Sequence, residues 1–169
     1  IPLLKRLLDI VFSAVLIVLL APVMLFTWLA VRIVLGAPAI YRDERAGLRG
    51  RPIQIAKFRS MTAATGPDGG LLPDADRLGP FGRFLRRTSL DELPQLLSVL
   101  AGDMSLVGPR PLPVRYVARY TPRQATRLLV RPGLTGWAQI HGRNAVAWPE
   151  RLEYDAEYVE SMQFWTAPL

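Results

Sequence analysis

An uncharged apolar stretch near the N-terminus is the feature that most limits what this chain can fold into. No charged side chain occurs from Ile10 to Val31, a run of 22 residues. About 20 apolar residues are enough for a helix to cross the hydrocarbon core of a bilayer, and the core helices of soluble proteins rarely stay apolar for so long. The run is also too long for a signal peptide and lacks its small-residue cleavage pattern. The sequence therefore predicts a membrane helix.

Pro22 and the flanking charges affect the form that this helix is expected to take. Pro22 lies near the middle of the run, where it has no N–H to donate and its ring clashes with the carbonyl group four residues earlier. Cations flank the run on both sides, Lys5 and Arg6 before it and Arg32 after it. Because cations favour the cytoplasmic side of a membrane, a helix that enters the bilayer, breaks at Pro22 and returns would satisfy both flanks. A spanning helix with a proline kink is the alternative, and the residues alone do not decide between them.

The remaining composition favours an anionic partner and excludes several kinds of site. The 169 residues include 21 Lys and Arg against 14 Asp and Glu, which gives a net charge of +7. Such an excess favours nucleic acid, an acidic membrane surface or a phosphorylated small molecule. The sequence has no cysteine and one histidine, His141, so thiol nucleophiles, zinc–thiolate sites and histidine metal clusters are excluded.

Beyond residue 36 the sequence pattern predicts a small α+β domain with much irregular structure. Short apolar runs, helical spacing of leucines and turn-rich segments define its elements. We expect strands at 39–41 and 52–58 and helices near 79–87, 90–100 and 149–163. Segments rich in Pro and Gly, at 107–113 and 131–137, separate the later elements. The expected division is therefore a membrane helix with its flank over 1–36 and a second domain over 37–169.

Two adjacent carboxylates, Asp91 and Glu92, stand out in the second domain. They follow a cluster of arginines, Arg83, Arg86 and Arg87. If that segment is helical, the three guanidinium groups share one face and suit a di- or triphosphate. The carboxylates would then bind a divalent cation or attack phosphorus. Taken alone, the pair is more simply explained as helix capping, with either Ser89 or Asp91 as the N-cap.

Four ordered stretches carry a resemblance to a known family. They are Lys57-Phe-Arg-Ser-Met61, Arg87-Thr-Ser-Leu-Asp-Glu-Leu-Pro-Gln95, Gly102-Asp-Met-Ser-Leu-Val-Gly-Pro-Arg-Pro111 and Arg131-Pro-Gly-Leu-Thr-Gly-Trp-Ala-Gln139. From about Lys5 to Tyr158 the chain resembles the bacterial sugar transferase family, the monotopic polyprenyl-phosphate phosphoglycosyl transferases. The resemblance implies a re-entrant helix and a catalytic domain on the cytoplasmic face of the bacterial inner membrane.

The resemblance also implies a reaction and its partners. A phosphosugar is transferred from a UDP-sugar to a polyprenyl phosphate, usually undecaprenyl phosphate, and UMP is released. The implied route passes through a covalent aspartyl-phosphosugar intermediate and requires Mg²⁺. It is the first membrane step of glycoconjugate and polysaccharide biosynthesis. The expected partners are therefore a UDP-sugar, undecaprenyl phosphate and membrane lipid, and not nucleic acid.

Carried over position by position, the resemblance assigns a role to several residues. Asp91 is expected to be the nucleophile and Glu92 its magnesium-binding partner, so both are candidate metal ligands. Arg86 is expected to hold phosphate and Arg110 to contact the nucleotide. The other candidates for substrate binding are Lys57, Arg59 and Asp155, of which the last lies in a charged, amphipathic segment where surface charge is the usual explanation.

Two alternatives to this function stay open at the level of sequence. One is a metal-dependent glycosyltransferase that uses Asp74-Ala-Asp76, a D-x-D pattern able to bind a metal–nucleotide complex. It would release UDP, whereas the favoured reaction releases UMP. The other is a membrane-anchored nucleic-acid binder without enzymatic activity, which would need basic residues interleaved with exposed aromatic rings.

Overall fold

The computed structural model of the protein describes residues 3–141 and 147–166. Within those residues the α-helices are Leu3–Val34 (α1), Asp74–Arg77 (α2), Pro80–Thr88 (α3), Gln95–Ala101 (α4), Pro122–Ala125 (α5), Trp137–Ile140 (α6) and Trp148–Thr166 (α7). The strands are Ile40–Ala46 (β1), Pro52–Phe58 (β2), Ser105–Val107 (β3) and Gly133–Thr135 (β4). Short 3₁₀ helices occur at Leu48–Gly50, Leu90–Glu92, Val114–Arg119 and Thr126–Leu129. The predicted mixture of helix and sheet behind a long apolar helix is confirmed.

The strands form two small sheets. β1 pairs with β2 across the turn at 47–51, which is too short for a parallel crossover and makes the pair an antiparallel hairpin. β3 pairs with β4 in parallel, with Ser105 opposite Gly133 and Val107 opposite Thr135. β4 falls in the Pro- and Gly-rich segment predicted at 131–137, whereas β3 lies just before the segment at 107–113 and shares only Val107 with it.

Packing contacts divide the chain into two units. The first comprises Ile1–Ile17, Glu44–Ile55 and Leu96–Leu169, and the second comprises Val18–Asp43 and Ala56–Gln95. The first unit has a core of Ile55, Val99 and Met104, against which Ile53 and Leu106 pack. In the same unit α7 packs on α5, α6 and the 3₁₀ helix Thr126–Leu129. The predicted domains, 1–36 and 37–169, were separated at the end of the apolar helix and not by packing contacts. That division stays a prediction.

The second unit has its own hydrophobic core. Its buried members are Val31 from the end of α1, Ala39, Phe58 from the end of β2 and Leu85 from α3. Partly buried side chains surround them: Met24, Leu35, Ile40, Phe81, Leu90 and Leu93. Because Phe58 and Leu85 share this core, the end of β2 and the helix α3 are held close to each other.

The α1 helix exposes apolar side chains and buries polar ones. Large hydrophobic side chains are exposed along its whole length, among them Leu7, Phe12, Val18, Leu25, Phe26 and Ile33. Asp9, Ser13 and Thr27 are buried. This arrangement is the reverse of a helix in a water-soluble protein, and it suits a helix surrounded by hydrocarbon. By length and composition α1 is able to cross a membrane, and it is the one helix of the described residues that is.

The helical structure of α1 continues through Pro22. The sequence predicted a kink or break at this residue, and no interruption of the helix is present there. A proline inside a helix removes one backbone hydrogen bond and often bends the helix without ending it. The division between the two packing units crosses α1 between Ile17 and Val18. Val18 carries the carbonyl group that faces the proline ring.

A buried carboxylate ties the first part of α1 to β3 within the first unit. Asp9 accepts hydrogen bonds from the Ser105 hydroxyl at 2.8 Å and from the Leu106 N–H at 3.1 Å. Lys5, one turn earlier, lies 3.5 Å from the same carboxylate and also donates to Ser105. One side chain of an apolar helix thus satisfies a hydroxyl, a backbone amide and an ammonium group.

We predict that Asp9→Ala destabilises the protein by about 2–3 kcal/mol, because it leaves buried donors without their shared acceptor. Such a loss lowers the midpoint of thermal unfolding by roughly 5–10 °C in a domain of this size. The measurement is thermal unfolding of the detergent-solubilised protein. Asp76→Ala, which removes an exposed carboxylate, is the control and is expected to unfold with the parent. Equal midpoints for Asp9→Ala and Asp76→Ala would contradict the proposed tie.

Candidate active site

Asp91 and Glu92 lie on a short turn between α3 and α4. The chain leaves α3 at Ser89, whose left-handed backbone (φ 58°) redirects it into the 3₁₀ helix Leu90–Glu92. Ser89 makes no side-chain capping hydrogen bond, so the capping-box explanation of the acid pair is wrong. The predicted helix near 90–100 begins only at Gln95, after Pro94. The carboxylates are therefore presented by a separate turn and are not the first turn of α4.

A lysine from β2 faces this turn. Lys57 Nζ lies 2.9 Å from Glu92 Oε1, and both side chains are largely buried. Lys57 is positioned because its neighbour Phe58 is anchored in the core of the second unit. Lys57, predicted to bind substrate, is thus the ion-pair partner of Glu92.

Arg86 reaches the same region from α3. Its Nε donates a hydrogen bond to the Ser60 hydroxyl at 3.0 Å. The close approach of α3 to this segment depends on Gly82, since a Cβ there would lie 1.8 Å from the Ser60 carbonyl oxygen. Sequence reasoning missed Ser60, which is buried and orients the guanidinium group.

The charges around Asp91 act on it in opposite directions. The side chain is only 7% exposed. Burial and the neighbouring Glu92 carboxylate raise the pKa of Asp91, and the charges of Lys57 and Arg86 act to lower it. The pKa of Asp91 is raised on balance, mainly by burial, and the two cations limit that rise.

The acid pair suits a Mg²⁺ ion that is shared with a substrate. In the described residues no group of three or more His, Cys, Asp or Glu side chains is assembled for a metal. Mg²⁺ rarely uses such a cage: it commonly binds one or two carboxylates together with water and phosphate oxygens. Asp91 and Glu92 supply the two carboxylates of such a site, so the residues present fit a Mg²⁺ ion.

Two other arginines, Arg59 and Arg83 of the predicted cluster, have different partners. Arg59 donates to the carbonyl groups of Ala37 and Gly36, both at 3.0 Å, immediately after α1. Arg83 donates to the Leu78 carbonyl at 2.8 Å. The structure thus brings Lys57, Arg86, Asp91 and Glu92 together. It places Arg59 at the end of the membrane helix.

Arg110 and Asp155 belong to the first unit. Asp155 is buried and lies 2.8 Å from Arg127, a residue that sequence reasoning missed. Burial outweighs the attraction of that guanidinium group and raises the pKa of Asp155 to about 6. The interpretation of Asp155 as surface charge is therefore wrong. The buried positions Asp155, Ala156 and Val159 recur at helical spacing on α7, which is the signal that could have identified its inward face.

The D-x-D alternative finds no support in the surroundings of its two carboxylates. Asp74 and Asp76 lie in the four-residue helix α2, where Asp74 is highly exposed and pairs with Arg77 at 3.5 Å. His141 stacks on the ring of Tyr154 at a centroid distance of 4.8 Å and packs at a tilt against Trp137 at 4.3 Å.

Comparison with known proteins agrees with the four motifs. A sequence model described as bacterial sugar transferase matches residues 2–167. An uncharacterized sugar transferase of Bacillus subtilis, EpsL, is 48% identical over 95% of this chain and 80% of its own length. UDP-glucose:undecaprenyl-phosphate glucose-1-phosphate transferases of Caulobacter vibrioides and Escherichia coli are 42% and 41% identical over 95% and 96% of this chain. The match spans only 64% and 37% of those two relatives.

The chain therefore belongs to the bacterial sugar transferase family. The family resemblance seen in the sequence is confirmed, and so is the prediction of an enzyme that transfers sugar phosphate rather than a non-enzymatic binder.

Proposed function

We propose that this protein transfers a sugar phosphate from a UDP-sugar to undecaprenyl phosphate and releases UMP, with Asp91 as the covalent nucleophile. The relatives with named activities are UDP-glucose or galactose transferases that act on undecaprenyl phosphate. The observation that carries the proposal is the buried Asp91 beside Glu92, facing the charges of Lys57 and Arg86.

The reaction proceeds by two displacements at one phosphorus atom. A carboxylate oxygen of Asp91 attacks the phosphorus that carries the sugar, the bond to the bridging diphosphate oxygen breaks, and UMP leaves with the bonding electrons. An oxygen of undecaprenyl phosphate then attacks the same phosphorus. The Asp91–phosphorus bond breaks, which restores the carboxylate and leaves the sugar on undecaprenyl diphosphate.

The residues around Asp91 deal with the main obstacle, which is repulsion between a carboxylate and a diphosphate. Mg²⁺ held by Asp91, Glu92 and the diphosphate would neutralise charge on the phosphoryl oxygens. Arg86, fixed by Ser60, donates to phosphate as the charge moves to the leaving UMP. Lys57 holds Glu92 in place and adds a positive charge beside the nucleophile.

The contacts at the two ends of α1 support a re-entrant helix. Near its start, Arg6 donates to the carbonyl groups of Val99 and Leu100 at 2.7 and 2.8 Å. After its end, Arg59 binds the carbonyls of Gly36 and Ala37. Residues 35–106 are all described, and none of them forms a helix able to cross a membrane. We propose that both ends of α1 lie on one side of the membrane, as a re-entrant helix requires.

This topology suits the two substrates. We propose that the side in question is the cytoplasmic face, where the UDP-sugar is soluble, while undecaprenyl phosphate reaches the site from the bilayer. An apolar helix that enters and leaves by one face holds the site at the interface. The net charge of +7 adds attraction to anionic lipid.

We predict a covalent adduct when acceptor lipid is left out. With a UDP-sugar and Mg²⁺, intact-mass spectrometry should show one added phosphosugar, lost on treatment with hydroxylamine as expected of an acyl phosphate. A chelator should prevent it. Asp91→Asn should form no adduct, whereas Asp76→Asn, at an exposed carboxylate, should form as much as the parent. An adduct on Asp91→Asn, or UMP release without any adduct, would contradict the mechanism.

We predict that both flanks of α1 face the cytoplasm. The chain has no cysteine, so single cysteines can be introduced at two exposed positions, Leu3→Cys at the first residue of α1 and Leu71→Cys in the later loop. In right-side-out cells a membrane-impermeant maleimide should label neither variant until the membrane is permeabilised. Labelling of Leu3→Cys but not Leu71→Cys from outside would show that α1 spans the membrane.

A further inference from the structure

The segment around Arg110 is held rigid by its own backbone and by its neighbours in the first unit. Pro109 and Pro111 fix two backbone angles, and a residue before proline is restricted to extended conformations. The Pro109 carbonyl accepts from the Gly133 N–H at 2.9 Å, and the Leu112 carbonyl accepts from the Ala46 N–H at 2.8 Å. Arg110 itself is exposed. The loop therefore presents one guanidinium group from a fixed backbone.

The close contact between this loop and β4 leaves little freedom for movement. A Cβ on Gly133 would lie 2.1 Å from the Gly108 nitrogen, so the two backbones approach more closely than any side chain would allow. Gly108 in turn donates to the Thr135 carbonyl at 2.9 Å. The start of the loop is thus fixed by backbone contacts.

The carbonyl group of Arg110 is held by a side chain. Arg127 Nη2 donates to the Arg110 carbonyl oxygen at 2.7 Å and lies 2.8 Å from Asp155 Oδ2. The other terminal nitrogen, Nη1, donates to the Tyr120 hydroxyl at 2.8 Å. Arg127 is only 5% exposed. One buried guanidinium group therefore connects α7, through Asp155, to the backbone of Arg110.

Stability alone does not explain the buried ion pair of Arg127 and Asp155. Arg127 Nε and Asp155 Oδ1 are buried and lack a hydrogen-bond partner among the described residues. A buried ion pair gains little over well-packed apolar side chains, and unsatisfied buried atoms make it worse. At the surface, Arg123 of the adjoining α5 already forms ion pairs with Glu153 and Glu160 of α7.

We propose that Arg127 and Asp155 are positioning residues that fix the Arg110 backbone, so that its side chain meets the nucleotide diphosphate of the UDP-sugar. The inference rests on the proposed function and on the expectation, taken from the family resemblance, that Arg110 contacts the nucleotide. Neither Arg127 nor Asp155 touches substrate in this account: Asp155 orients Arg127, and Arg127 orients Arg110. The position of Arg110 is thereby fixed by the buried ion pair of Arg127 and Asp155.

The test is a set of variants assayed as full-chain protein with undecaprenyl phosphate, Mg²⁺, and UDP-glucose or UDP-galactose, whichever is turned over faster. Arg127→Lys keeps the charge but loses the planar fork that reaches three acceptors. It should raise KM for the UDP-sugar about tenfold and leave kcat within about twofold of the parent, because positioning of the nucleotide is lost. KM for undecaprenyl phosphate should not change. Arg123→Gln, the control, should leave both constants unchanged.

Coupling to Arg110 separates positioning from a general structural role. Arg110→Ala should raise KM for the UDP-sugar as much as Arg127→Lys does, and the double variant should be no worse than either single variant. If the two effects multiply, or if Arg127→Lys lowers kcat and leaves KM unchanged, the proposal is wrong. Arg127→Met combined with Asp155→Leu removes both charges and is expected to keep the fold. It should give the same rise in KM, and a parental KM would also overturn the proposal.

Binding of UMP, measured by thermal unfolding without turnover, tests this inference separately from the proposed function. UMP should raise the thermal unfolding midpoint of the parent and of Arg123→Gln, and it should raise that of Arg127→Lys less. Absence of turnover in the parent, together with this pattern, would reject the proposed reaction and support the positioning role. Equal shifts in the three proteins would reject the positioning role whatever the turnover.

Discussion

The charge balance around Asp91 is the interaction on which the site depends. A buried carboxylate next to a second carboxylate tends to take up a proton, and a protonated acid is a poor nucleophile. Lys57 and Arg86 oppose that tendency, and both owe their positions to the same small core. Phe58 fixes the end of β2, Leu85 fixes α3, and Gly82 lets the two approach. The chemistry of the turn therefore follows from how the second unit packs.

In the proposed function, the apolar helix α1 brings this site to a lipid substrate. Its outward face is apolar, and its buried Asp9 binds β3, which follows it in the chain. Asp9 and Arg6 act near its start and Arg59 acts after its end. Arg59, which was expected to bind substrate, thus holds the segment that follows α1. In the proposed function, the soluble and lipid-phase substrates meet where the helix enters and leaves the bilayer.

The elements with strong local patterns could be predicted from the sequence. The apolar run gave α1, β2 was predicted at 52–58 as observed, and α3 and α7 fall close to their expected bounds. β3 and β4 could not be predicted, because each has three residues and pairs with a distant partner. The acid pair was found, yet its turn depends on the backbone of Ser89, which carries no signature. Ser60 and Arg127 were missed because their roles arise only from tertiary contacts.

The most direct test of Asp91 as a covalent nucleophile is the nucleotide released in a single turnover. The protein at stoichiometric concentration is mixed with UDP-sugar and Mg²⁺ without lipid, quenched at short times, and the nucleotides are separated. We expect a burst of about one UMP per active site, with no further release until undecaprenyl phosphate is added. Release of UDP, or no UMP before the lipid arrives, would contradict it.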